Sequence, residues 1–298
     1  MEPFCQSIGG RLKIIFSRKG FDSKYGGVPS PVLPDGRMAS LPIPSSAGRP
    51  ACEVQAFGTS LGEVVAALTG GRLNAGTSVH LDPDLDLHAA SRAFGWCPAF
   101  GQVGSAQSHL ARQGVGIGDL FLFFGWYRHA EHLADGRWQY VAGAPNFHGL
   151  FGWLQVTDIL KLDALDQHEI PTWLHSHPHV EFSPRFAGKG NTIYLAQGEL
   201  ALGRRRSEIQ AGGMFSRWSP KLRLTANGQS RSVWQVPSWM NPSAGRKPLS
   251  HHSAPERWIR QGDDLLLKTV PIGQEFVLDA AEYPESVDWA YNLISEHT

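Results

Sequence analysis

Glycine and proline set the first limit on what this chain can fold into. They number 33 and 20, together 53 of 298 residues, where the pair ordinarily makes up about 12%. Proline fixes φ and lacks a backbone donor, and glycine loses the most conformational freedom inside regular elements. A chain punctuated this densely favours short strands and shaped loops over long helices. It is also 42% hydrophobic and 18% charged, which supplies a sizeable core and excludes an intrinsically disordered chain. The greasiest run, residues 120–127, falls short of the ~18 residues that a membrane helix needs. The N-terminal MEPFCQSIGG has an acid, a proline and no apolar signal core, and Cys5, Cys52 and Cys97 form no CxxC pair. These features give the expectation of a cytoplasmic protein with neither a disulfide framework nor a zinc ribbon.

Periodicity places few helices. Leu61, Val64, Val65 and Leu68 share one face after a Ser60/Glu63 capping box, and Gly70-Gly71 stops that helix. Two more are expected at 106–112 and at 284–295, the latter opening on Pro284. Between them the pattern is β. Strands are expected at 12–16, 119–127, 150–156 and 192–196, with another at 137–141 turning through Asp135-Gly136. Residues 221–225 and 232–236 read as a hairpin across Asn227-Gly228. Strands joined by tight turns pair antiparallel. The predicted fold is therefore α+β: a single domain over 11–298, with a central, mainly antiparallel, partly barrel-like sheet flanked by a few helices. A flexible extension, 1–10, precedes it. Residues 17–49, with five prolines, read as a long shaped loop of the functional kind.

Zero formal net charge, from 27 basic and 27 acidic residues, argues against a generic nucleic-acid coat. The distribution is uneven, however: residues 185–231 hold nine basic side chains against two acids. Such a face neutralises phosphates, and Arg204, Arg205, Arg206 and Arg217 are its candidate contacts. The same stretch reads equally as a solvated face balanced by acids from elsewhere.

No P-loop, dinucleotide-binding, nucleophile-elbow or HExxH motif occurs. Four unusual segments remain. FSRKGFDSKYGG crowds Arg18, Lys19, Asp22 and Tyr25 at a strand exit, a common way to build a site. HLDPDLD places Asp82, Asp84 and Asp86 at alternate positions, suited to a divalent metal or to capping a helix near Leu85. FGQVGSAQSH offers Gln102 and Gln107 as bidentate hydrogen-bonders and His109 on a helix, with aromatic residues through Trp126 and Tyr127 beyond. HSHPH sets His175, His177 and His179 at metal-ligand spacing, although Pro178 disfavours a regular strand. Near the C-terminus, Gln274-Glu275 can hold a ribose and supplies a second carboxylate to set beside Asp22.

FSRKGFDSKYGG, PSPVLPDG, HLDPDL, FGQVGSAQSHL, GDLFLFFGWYR, LFGWLQV, NTIYLA and GQEFVLD follow one another in the order of a known family. From about residue 13 to 292 the chain resembles the third type of nucleotide-modification-associated domain of bacteria and phages. Arg18, Asp22, Asp82, Asp84, Gln102, His109 and Glu275 are the matching polar positions. The resemblance implies a DNA glycosylase of anti-phage defence, which cleaves an α-glucosylated hydroxymethylcytosine from phage DNA and leaves an abasic site. It implies no cofactor, no membrane and no obligate protein partner. In that chemistry a carboxylate supports an oxocarbenium-like sugar while the base departs from a flipped nucleotide. Asp22, then Glu275, are the candidates for it. Arg18 and Lys19 would grip phosphates, while Gln102, Gln107, His109, Asp82, Asp84 and Gln274 would bind the base or sugar. Tyr25, Trp126 and Tyr127 would stack. Three other readings stay open: a non-catalytic reader, because GDLFLFFG and FGWLQV are similar to PUA-like barrel strands; an ADP-ribosyltransferase-like enzyme; and a metal hydrolase built on the histidines.

Overall fold

The computed structural model describes residues 12–298 apart from Phe57, Ser243, Ala244 and Ile272. The expected extension at 1–10 lies outside the described residues. The fold is mostly sheet with few helices, of α+β type, and its sheets curl without closing into a barrel.

The main sheet runs in the order Gly212–Met214, Phe147–Gln155, Leu120–His132, Lys13–Arg18 and Glu275–Asp279. Its pairings are antiparallel with two exceptions: the first strand, Lys13–Arg18, and the short Ser30–Val32 both lie parallel to the long central strand Leu120–His132. Leu120 to Phe124 are buried on both faces of that strand, which explains why they read as a continuous apolar run and not as an alternation. A register shift between Leu150 and Gly152 kinks the neighbouring strand and increases the local twist. The aromatic core includes Phe16, Phe121, Phe123, Phe124, Tyr194 and Trp234.

Around this sheet stand smaller units. Asp158–Lys161, Thr192–Leu195 and Ala99–Gln102 make an antiparallel three-stranded sheet whose last strand leads into the helix Gly104–Arg112. Val233–Val236, Asp264–Lys268 and Trp258–Gln261 make another. The helix Leu61–Leu68 buries Leu61, Val64, Val65 and Leu68 against Phe21, Leu41 and Val54. The last helix, Glu285–Ser295, begins after Pro284 as expected.

Several local expectations are corrected. Ser60 makes no capping bond; its hydroxyl donates to the Cys52 carbonyl at 3.2 Å. No helix starts near Leu85, because Asp84 exchanges backbone bonds with Ala99 and stays extended. Segment 17–49 is not one loop, since Ser30–Val32 and Ile43–Pro50 form strands within it. The hairpin at Asn227-Gly228 is reduced to one bridge, Thr225 to Trp234. Ala226 N donates to Val233 O at 2.9 Å, so the connection spans 227–232 and leaves no two-residue turn.

One glycine holds two layers in contact. A Cβ on Gly101 would lie 2.1 Å from the His179 ring, and that ring is buried and bonded to Asn191. Gly101→Ala is expected to lower stability by roughly 1–3 kcal/mol through overpacking. Gly116→Ala, whose Cβ meets nothing within 4 Å, serves as the control. Equal denaturant midpoints for the two variants would refute the contact's role.

Candidate functional site

The end of the first strand, the start of the C-terminal edge strand and the end of Ala99–Gln102 meet around one carboxylate. Ser17 pairs in register with Glu275, so their side chains share a face of the sheet. Glu275 is 1% exposed. Its Oε1 accepts from Lys19 Nζ at 2.8 Å and from Gln102 Nε2 at 2.6 Å. Lys19 is buried as well and stands 4.5 Å from the centre of the Phe100 ring. Glu275 Oε2 and Ser17 Oγ are buried with no hydrogen-bond partner among the described residues. A native fold satisfies nearly all such atoms, so each of the two is a candidate contact for a water or a bound oxygen.

The helix Gly104–Arg112 closes one side. His109 Nε2 lies 3.0 Å from Ser250 Oγ, which accepts from Val277 N at 2.8 Å. Burial, aided by His251 and Arg112, pushes the His109 imidazole below its ordinary range. Tyr194 OH donates to Gln107 Oε1 at 3.0 Å and stacks on Phe100.

Asp82 closes the other side. Its Oδ1 accepts from Gly101 N at 2.8 Å, and its Oδ2 faces His179 Nε2 at 3.3 Å. Burial acts to raise this carboxyl, but the bond to His179 and the charges of His179, His177 and Lys19 outweigh it and hold it at about 2. His179 Nδ1 meets Asn191 Oδ1 at 2.6 Å, and Asn191 Nδ2 donates to the His179 carbonyl. Both ring nitrogens of His179 therefore face side-chain oxygens, Asn191 Oδ1 on one side and Asp82 Oδ2 on the other. His177 Nε2 is buried without a hydrogen-bond partner among the described residues, 3.9 Å from Asp82 Oδ1. Beyond it opens a cleft of about 570 Å³ lined by Arg49, Glu53, His80, Arg92, His177 and Glu181. Asp84 is bonded by both terminal nitrogens of Arg92 and by Trp96 Nε1.

The opposite face of the first strand carries a basic rim. Arg18 donates to the Gly273 carbonyl at 2.5 Å, and burial lowers its guanidinium despite the nearby Asp22 and Glu275. Asp22 Oδ1 accepts from Lys24 N and Tyr25 N, each at 2.7 Å, and so shapes its own loop. Arg231 reaches Ser23 Oγ at 3.2 Å and lies 3.9 Å over the ring of Trp126. Tyr25 is exposed beside Lys24, and Arg72 bonds the Gly26 carbonyl.

The structure thus brings Lys19, Asp82, Gln102, His109 and Glu275 together. It puts Arg18, Asp22, Tyr25 and Trp126 on an adjoining rim, with Gln274 exposed between them. Tyr127 lies elsewhere, fully enclosed near Phe147 and Phe151, and presents no ring to an incoming base. Arg204, Arg205 and Arg206 lie on the hairpin that lines a cleft with Leu12, Lys13 and Asp119, at the start of the first strand. Four residue steps of strand, Lys13 to Ser17, at about 3.3 Å each separate that end from Glu275. Arg217 stands by the turn at Gly36. Among the described residues no group of three or more His, Cys, Asp and Glu is placed to hold a metal ion. Sequence reading missed Ser17, Tyr194, Ser250 and His251; the His251-His252 doublet was the available signal for the last pair of loop residues.

Residues 13–279 match the family described as nucleotide modification associated domain 3. Neither the curated proteins nor the solved structures gave a match.

Three buried imidazoles and Asp82 tie stability to pH. Burial pushes His148 down to about 3 and both His177 and His252 to about 4, from 6.5. Their contribution is complete above 6.5 and is lost as pH falls, because the unfolded chain takes up protons first. Asp82, depressed from 3.8 to about 2, adds a loss below about 4. The unfolding free energy is expected to drop by at least about 2 kcal/mol between about pH 7.5 and about pH 4.5. Denaturation at both values checks this, and a flat or rising profile refutes it.

Proposed function

Since the chain belongs to the nucleotide modification associated domain 3 family, whose role lies with modified nucleic acid, we propose that it is a DNA glycosylase. The reading is hydrolysis of the N-glycosidic bond of a modified cytosine, the α-glucosylated hydroxymethyl form, in phage DNA. The observation that carries it is Glu275, a buried carboxylate with one oxygen fixed by Lys19 and Gln102 and the other without a partner.

As the C1′–N1 bond breaks, its electrons leave with the base and positive charge gathers on the sugar. A fixed carboxylate in a site poor in water stabilises that charge strongly, because it needs no reorganisation when the charge appears. Glu275 Oε2 then accepts the proton of the water whose oxygen bonds to C1′. Lys19 and Gln102 keep the carboxylate from rotating. Asp22 is assigned to its loop, because its Oδ1 already holds two backbone amides. The cleft beside His177 supports a bulky, neutral, hydroxyl-rich substituent. Its volume falls in the range of small-molecule sites, and its lining mixes guanidinium and imidazole donors with Glu53 and Glu181 as acceptors. Arg18, Arg231, Lys24 and Arg72 on the rim suit flanking phosphates, with Trp126 and Tyr25 as stacking surfaces.

The near-complete burial of Glu275 favours a second reading, a non-catalytic reader of modified bases in which the Lys19–Glu275 pair is structural. Mass spectrometry of the products separates the two. A glycosylase releases the decorated base from glucosylated phage DNA and leaves alkali-labile sites, while unmodified DNA stays intact; a reader binds and releases nothing. Glu275→Gln is expected to lower base release by about a hundredfold or more with DNA affinity largely kept. A near-native rate would remove Glu275 from the chemistry.

The rim makes a further distinction. Arg231→Ala is expected to weaken DNA binding and to make the slope of log affinity against log salt shallower by about one. Arg205→Ala, on the far hairpin and paired with Asp288 at 2.6 Å, is expected to leave that slope unchanged. The opposite pattern would move the DNA to the other end of the sheet.

A further inference from the structure

The loop Leu249 to His252 runs along the free edge of the C-terminal edge strand. Ser250 N donates to Val277 O at 3.0 Å, and Val277 N donates back to Ser250 Oγ at 2.8 Å. His252 is fully buried, with Nδ1 2.7 Å from the Ser250 carbonyl and Nε2 accepting from Val270 N at 3.2 Å. Between these two anchors His251 takes φ 66°, the one non-glycine residue with positive φ among those described. That left-handed conformation costs an ordinary side chain free energy, and it persists only where its neighbours impose it.

The His251 ring is exposed at the edge of the sheet, next to the helix Gly104–Arg112. It lies 4.2 Å from the His109 ring and 6.3 Å from that of Phe276, beside Gly273. Gly273 and Phe276 bracket Glu275 in the chain. The other imidazoles of the neighbourhood are engaged: His109 on Ser250, His252 on its own loop. His251 is exposed, and among the described residues no hydrogen bond ties its ring.

We propose that His251 is the general acid that protonates the departing base, an inference that rests on the glycosylase reading. The electrons of the C1′–N1 bond pass to the pyrimidine, whose ring carbonyl oxygen takes the proton of the imidazolium. Water adds its oxygen to C1′ and gives its proton to Glu275. The proton then returns from Glu275 to His251 through solvent, so that each turnover consumes one water and leaves both residues as they began. Glu275 meets the sugar from within the sheet, and His251 meets the base from the edge.

His251→Gly removes the imidazole and relieves the left-handed backbone in one change. His251→Asn keeps a residue tolerant of that conformation. With wild-type protein releasing base from glucosylated DNA, both variants are expected to melt no lower than wild type and to lose about a hundredfold or more in single-turnover rate. A deoxyribonucleoside carrying an acidic nitrophenolate leaving group, which departs without a proton, is expected to show almost none of that loss. Full rate in His251→Gly, or an equal loss on both substrates, overturns the assignment and leaves the glycosylase reading standing. No base released by wild type overturns both. A melting temperature below wild type for both variants, with the loss equal on both substrates, makes His251 structural.

Discussion

A single buried ion pair joins the two ends of this chain. Lys19 follows the first strand and Glu275 opens the last, and their contact at 2.8 Å sits where the main sheet and the Ala99–Gln102 strand meet. Taking both charges out of water costs several kcal/mol per ion unless geometry and added hydrogen bonds offset it. Gln102 provides one such bond and the Phe100 ring a cation–π contact, but Glu275 Oε2 and Ser17 Oγ are left without partners. Replacing a buried ion pair with apolar side chains of similar volume is often neutral or stabilising.

The elements were largely legible because each depends on local pattern. Leu61–Leu68 stands where its apolar spacing put it, and the apolar run ahead of Tyr127 became the central strand. In each error the expected local contact gives way to another partner. Ser60 bonds Cys52 and not the first turn of its helix, Asp84 pairs with Ala99 and not with a cap, and Asn227-Gly228 sits within a wider connection. The parallel pairing of the first strand with residues 120–124 has no local signature at all.

The site was legible as residue types but not as an assembly. Glu275, Gln102, His109 and Asp82 stood out as polar residues in aromatic surroundings, yet nothing in their spacing shows that Lys19 turns inward while Arg18 turns outward. Strand alternation decides it, because Ser17 and Lys19 share the face of Glu275. The basic stretch illustrates the reverse failure. Arg231 and Arg205 lie 26 positions apart in one charged segment, and the fold sends one to the rim at Trp126 and the other to Asp288 at the opposite end.

The order of the strands carries a consequence for how the protein comes into being. Among the described strands the one bearing Glu275 comes last in chain order, and it pairs with the one that comes first. A chain emerging from the ribosome holds Lys19, Gln102 and the rim long before it holds the acid they surround. A nascent copy, or one cut ahead of Glu275, is therefore able to expose the cationic rim without that carboxylate. The cluster around Lys19 and Gln102 is complete only once Glu275 has joined it.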